Sequence, residues 1–290
     1  MTATARALMF TVAAATLWGT AGLAGAAGPG DPVVLSPHRA VYDFRLDSAR
    51  SGGGVSDLTG RMVYELVGSP CEGYTQNMRF VTRMIGQNGT AVVTDMRSSS
   101  WEEALGRRFR FNGTQYRNSK LEETTAGDAS RPAKGDVKVT LSRPKKRDFP
   151  ISREVLFPIQ HSIRLIQEAR AGKDVFHADL YDGSEKGEKV YATTAIIGKA
   201  FAGSGNKGLP TVKNAERLEK LAAWPVSISY FEPKKQRQDS LPTFEIAFRF
   251  YANGVSRRLF IDYGDFAIRG ELKEIEFLEP SKCGADRNRR

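Results

Sequence analysis

The chain has 290 residues, 40% hydrophobic and 26% charged, with 28 Gly, 13 Pro and 2 Cys, a composition that excludes collagen-like, low-complexity, zinc-ribbon and small multi-disulfide architectures. Its 43 Lys and Arg against 33 Asp and Glu give a formal charge of +10, which bears on surface and partners rather than on fold. The length suits one large domain or two small ones, and all-β folds run to about 200–250 residues as single units.

The first segment reads as an export leader. Arg6 is the only charge before Asp31, and Ala7 to Ala24 is apolar or small, interrupted by Thr11, Thr16 and Thr20. Ala24-Gly25-Ala26 then supplies the small residues a signal peptidase reads, which predicts cleavage after Ala26, a periplasmic protein and one domain over residues 27–290. An uncleaved anchor is the competing reading, but the apolar run is short and rich in Ala, Gly and Thr for a hydrocarbon core about 30 Å thick. No later segment reaches the apolar length of a membrane-spanning helix, so an integral membrane protein is not expected.

The body of the chain alternates with the period of a half-buried strand. Ala40, Tyr42, Phe44 and Leu46 share one face, with Arg39, Asp43 and Arg45 opposite. Met62 to Leu66, Val137 to Leu141 and Phe244 to Phe250 repeat the pattern. Asn88-Gly89, Asn112-Gly113 and Asn253-Gly254 lie between such runs and predict hairpin turns, because Asn-Gly supplies the positive φ angles of a type I′ turn. Cys71 follows the Met62 run. In an oxidising compartment it and Cys283 read most simply as one disulfide, with two unpaired buried thiols or a catalytic cysteine as alternatives. No His lies near either in sequence, and Glu72 would raise the Cys71 thiol pKa.

Pro158 to Ala171 breaks the strand rhythm. Ile159, Ile163, Ile166 and the stem of Arg170 fall at helical spacing, widened by Leu165 and Ala169, with Pro158 suited to the first turn and Gly172 to the residue past the end. This amphipathic helix either caps a barrel core or occupies or gates a hydrophobic cavity lined by Ile159, Ile163 and Ile166. Asp182-Gly183-Ser184 reads as a turn, and a second, weaker helix is predicted over Val212 to Ala222, ended by Trp224-Pro225. Near the C-terminus Ile268 and Leu272 sit on even positions but Ile275 and Phe277 on odd ones, so a bulge at Lys273-Glu274 is needed to keep one apolar face. Such a bend suits an antiparallel sheet that curls on itself.

Basic runs occupy the predicted loops: Arg143-Pro144-Lys145-Lys146-Arg147, Lys234-Lys235-Gln236-Arg237 and the tail Arg287, Arg289 and Arg290. No aromatic platform is interleaved with them and export argues against nucleic acid, which leaves solvated loops or contact with anionic envelope lipid, lipopolysaccharide or an acidic partner. His38, His161 and His177 form no metal-ligand spacing, and no Gly-x-Ser-x-Gly elbow is present. Glu102-Glu103 and Glu122-Glu123 read as solvated acid pairs. Neither a catalytic set, a metal site nor a cofactor is expected.

Several strings together resemble a known family. His38-Arg39-Ala40-Val41-Tyr42-Asp43, Cys71-Glu72-Gly73-Tyr74, Leu156 to Ser162, Asp182-Gly183-Ser184, Trp224 to Phe231 and Tyr251 to Phe266 are similar in order and spacing to the EipB cell-envelope integrity family of α-proteobacteria. The resemblance implies a mainly β fold, a single curled antiparallel sheet or β-spiral with a helix at its centre, similar to outer-membrane lipoprotein carriers. It also implies a disulfide between Cys71 and Cys283, a role in envelope stress resistance and a periplasmic partner with tetratricopeptide repeats. It carries no catalytic residues. The expected function is therefore a non-enzymatic scaffold of the envelope, with a carrier of lipid, lipoprotein or peptide as the alternative.

Overall fold

The computed structural model describes residues 31–52, 54–201, 209–232 and 241–283. The predicted leader, Gly203 to Gly208, Lys234 to Arg237 and the basic tail lie outside the described residues. In chain order the strands are β1 (His38–Ala49), β2 (Val55–Ser69), β3 (Gly73–Gly86), β4 (Ala91–Glu102), β5 (Arg108–Arg117), β6 (Lys120–Ser130), β7 (Val137–Arg143) and β8 (Arg147–Ile151). The helix α1 (Pro158–Arg170) follows, then β9 (Val175–Leu180), β10 (Tyr191–Ile197), β11 (Ala223–Phe231), β12 (Phe244–Tyr251), β13 (Ser256–Asp262) and β14 (Phe266–Phe277).

All fourteen join one sheet in the order β8-β7-β6-β5-β4-β3-β2-β1-β14-β13-β12-β11-β10-β9, and every pairing is antiparallel. β8 and β9 are the two edges and are also consecutive in the chain, so the segment carrying α1 has to run from one edge to the other. An antiparallel sheet this long twists and must curl rather than lie flat. The predicted bulge contributes: Val41 pairs with Glu274 and Tyr42 with Leu272, which leaves Lys273 as the extra residue and returns Leu272 and Ile275 to the buried face. Ala40, Tyr42 and Phe44 are buried as the alternation requires, while Leu46 is half-buried.

The curled edges meet through packing. Phe109 and Phe111 of β5 and Val139 and Leu141 of β7 form one cluster with Phe157, just before α1, and Tyr181, just after β9. Gly183 has φ +75, and a Cβ there would lie 2.4 Å from the Phe111 ring, so this turn admits only glycine against that wall. Arg147 of β8 pairs with Glu188 of the β9–β10 connection at 2.7 Å. Leu156 bridges Leu180 in parallel, its N–H donating to Asp179 O at 2.7 Å, which covers part of the β9 edge.

Three expectations for local structure are corrected. Asn112-Gly113 is not a turn but part of β5, facing Ala126 and Thr125 of β6. The hairpin turns at Asn118-Ser119, both with positive φ (48° and 65°), and the Asn118 side chain anchors it by accepting the Val93 N–H at 2.9 Å. The predicted helix over Val212 to Ala222 shrinks to a 3-10 turn, Glu216–Lys220, because Asn214 is left-handed (φ 63°) and Lys213 bridges Glu274 of β14. Trp224-Pro225 lies inside β11, with Pro225 placed beside the end of β10 where the ladder stops and a missing N–H is tolerated. The turns at Asn88-Gly89 and Asn253-Gly254 stand where expected, between β3 and β4 and between β12 and β13.

Candidate functional site

The helix holds the interior of the curl. Ile159, Leu165, Ile166 and Ala169 are buried in one cluster with Leu66 of β2, Tyr74 of β3, Phe176 and Leu180 of β9, Tyr191 and Ile197 of β10, Trp224 and Ile228 of β11 and Phe250 of β12. Ile163 is half-buried against the same cluster. A stripe that touches the β9 to β12 end of the sheet and its middle strands β2 and β3 fills the concave side. Ile166 is 0% and Ile159 3% exposed, and burying each such side chain contributes about 1.5–3 kcal/mol.

The ends of α1 are closed by unlike devices. At the C-terminus Gly172 (φ +71) follows Ala171, and Lys173 N–H donates to Glu168 O at 3.0 Å, as the Gly172 spacing predicts. At the N-terminus Phe157 has no polar side chain to cap the helix and Pro158 occupies the first turn. The free N–H groups of Ile159 and Gln160 instead donate to the Glu102 carboxyl oxygens at 2.7 and 3.0 Å. Glu102 is the last residue of β4 and 1% exposed, which corrects its reading as half of a solvated acid pair. Glu103, its neighbour, points out and pairs with Arg107 at 2.6 Å.

Burial pushes the Glu102 carboxyl up to about 8, against the opposing pull of the two backbone N–H groups and of Arg131. Arg131 lies over the Phe157 ring at 5.0 Å and donates to Gly106 O and Val155 O at 2.6 and 2.5 Å. Gln160 Nε2 adds a bond to Ala104 O at 3.2 Å. The helix start is thus fastened to the β4–β5 and β6–β7 connections. The sequence carries a faint trace of this: Met96, Ser98, Ser100 and Glu102 share one parity in β4, so Glu102 belongs to the inward row. Only the register, which places Glu102 between Tyr74 and Phe109, turns parity into burial.

His161 is buried and fixes the helix to β10. Thr193 Oγ1 donates to Ala178 O at 2.7 Å, so it accepts from His161 Nε2–H at 3.2 Å. Burial lowers the His161 pKa to about 4, so the ring is neutral near pH 7. His38 is buried beside Tyr64 and contacts Ser36 O, and His177 is exposed beside Thr194. The three histidines serve separate places in the fold, on α1, β1 and β9. Among the described residues no group of three His, Cys, Asp or Glu is placed to hold a metal ion, and no helix is long and apolar enough to cross a membrane.

Cys71, in the turn between β2 and β3, and Cys283, beyond β14, form a disulfide with their Cα atoms 5.8 Å apart and a separation of 212 residues in sequence. The tail after β14 reaches that turn across the start of β1, with Leu278 N–H donating to Pro37 O and Ser281 N–H to Gly68 O. The bond therefore closes a loop around nearly every strand.

Comparison with known proteins agrees with this architecture. The EipB-like family model matches residues 29–279. The cell envelope integrity protein EipB of Brucella abortus (strain 2308) is 41% identical over 268 residues, 92% of this chain and 93% of that protein. A crystal structure from Brucella abortus, described as a beta-barrel-like protein of a domain of unknown function, DUF1849, superposes with a TM-score of 0.76 at 38% identity, over 84% of this chain and 99% of that one. With a matching family model along most of its length and a full-length relative at this identity, the chain belongs to the EipB-like family.

Proposed function

We propose that this chain is exported with cleavage after Ala26 and maintains cell envelope integrity in the periplasm as a non-enzymatic scaffold, built as one domain over residues 27–290. The name of the Brucella abortus relative supports the envelope role, and a disulfide between Cys71 and Cys283 suits an oxidising compartment. The observation that carries the scaffold reading is the seating of α1. Its apolar side is buried against β2 and β3 and against β9 to β12, and a buried carboxyl group of β4 caps it, so the helix acts as permanent core. Function then falls to the outer strand faces and loops, which would dock envelope partners, a periplasmic protein with tetratricopeptide repeats among them.

A carrier is the second reading, favoured by one observation. Met62 of β2, Met78 and Met84 of β3 and Met96 of β4 share the inward face and are only half-buried, a flexible and polarizable lining of the kind that adapts to apolar ligands. Such a ligand would bind beside α1 or displace Ile159, Ile163 and Ile166. Displacement requires differential affinity larger than the burial it undoes. Native mass spectrometry of protein recovered from its own cells separates the two: the scaffold reading expects the mass of the polypeptide alone, and a lipid or peptide adduct in repeated preparations would overturn it.

A further inference from the structure

The outer face of the sheet carries a cleft of about 890 Å³ beside the disulfide. The ends of β4 to β7 and their connecting loops wall it, and Cys71 and Glu72 close one side. Five cations, Arg107, Arg108, Arg131, Lys138 and Arg153, face two carboxylates, Glu72 and Glu103. Three of the five are engaged. Arg107 holds Glu103 through two bonds, and Arg131 and Arg153 donate to loop carbonyls. Arg108 and Lys138 differ: both are exposed, and among the described residues neither has an ion pair.

The register sets these two cations on either side of one hydroxyl. Arg108 faces Ser130 across β5 and β6, and Ser130 faces Lys138 across β6 and β7. Directly paired residues project from the same face, so guanidinium, hydroxyl and ammonium stand in a row whose backbones are about 4.8 Å apart. The next outward row is built the opposite way, with Arg110 across from Asp128 and bonded to it at 2.9 Å. One row answers its cation with a carboxylate. The other sets two cations in a row with no carboxylate between them, Arg108 having only a longer-range attraction to Glu103, and their mutual repulsion favours an incoming anion. Trp101, under the Arg110 guanidinium at 5.9 Å, and Pro132 add an apolar wall.

We propose that the Arg108, Ser130 and Lys138 row is a binding site for a phosphate group whose attached apolar portion rests on Trp101 and Pro132. Three donors from three strands suit a tetrahedral group with several acceptor oxygens better than a planar carboxylate, and the guanidinium fork can take two of those oxygens. The site lies on the outer face, so it stands whether α1 is permanent core or movable plug.

Calorimetric titration of the full disulfide-bonded protein with inorganic phosphate, and separately with phosphatidylglycerol vesicles against phosphatidylcholine vesicles, tests the site. Saturable binding that weakens with salt is expected. The Arg108→Ala/Lys138→Ala variant should bind about tenfold or more weakly, and Arg45→Ala, an exposed cation outside the cleft, should bind as the parent does. Binding of free phosphate indicates a soluble phosphorylated ligand; binding of phosphatidylglycerol vesicles alone indicates a lipid headgroup. Should the double variant melt early, Lys138→Gln keeps the side-chain stem and reads the same contact. Binding of neither probe, or equal loss in the cleft and control variants, overturns the proposal.

Discussion

Replacing Cys71 or Cys283 by serine lowers the stability of the oxidised protein by about 2–5 kcal/mol, the largest effect expected of a surface substitution here. Both residues are exposed and little packing is lost with either sulfur, so the effect arises in the unfolded chain. A cross-link between residues 212 apart removes loop-closure freedom that the chain-entropy model values at about 5 kcal/mol. For a domain of this size the loss corresponds to a melting temperature lower by roughly 5–15 °C. Thermal melts of the parent and of Cys283→Ser under oxidising conditions, repeated with reductant, check it. The difference should vanish in reductant, and coincident melts under oxidising conditions would contradict a stabilising bond.

Glu102→Ala is the second large effect. It leaves the N–H groups of Ile159 and Gln160 without their acceptor in a buried place, which costs about 2–4 kcal/mol near pH 5. The cost depends on pH in a direction that burial sets. The carboxyl titrates at its ordinary value of 4.5 when unfolded and at about 8 when folded, so between these values the folded state keeps a proton that the unfolded chain has lost. Its contribution is complete below pH 4.5 and is lost as pH rises through 8. The gap between the parent and Glu102→Ala therefore narrows from pH 5 to pH 9. Urea unfolding at pH 5, 7 and 9 reads it, and a gap that widens with pH would mean that the ionised carboxylate is the form that caps α1.

Much of this architecture was legible in the sequence because local and tertiary preferences agree. Period-two runs became strands, the stripe of Ile159, Ile163 and Ile166 became α1, and the phase change at Lys273 became a bulge. The failures fall where tertiary pairing overrides a local signal. Asn112-Gly113 prefers a turn by itself, yet the β5 pairings to β4 and β6 on either side hold it extended. Val212 to Ala222 has helical spacing, but its bridge to β14 and the left-handed Asn214 limit it to one short turn. Glu102 was invisible as a cap because its helix lies 57 residues away, and capping motifs are read within a few residues of the helix they close.

The claim on which the account rests is that α1 belongs permanently to the core of an open, curled sheet. Native-state hydrogen exchange measures this directly, because each amide reports the free energy of the opening that exposes it. The account predicts that the central amides of α1 exchange with the same free energy as those of β2 and β3, through global unfolding. Exchange of α1 through an opening several kcal/mol cheaper, with the sheet still protected, would contradict it and mark the helix as a movable plug.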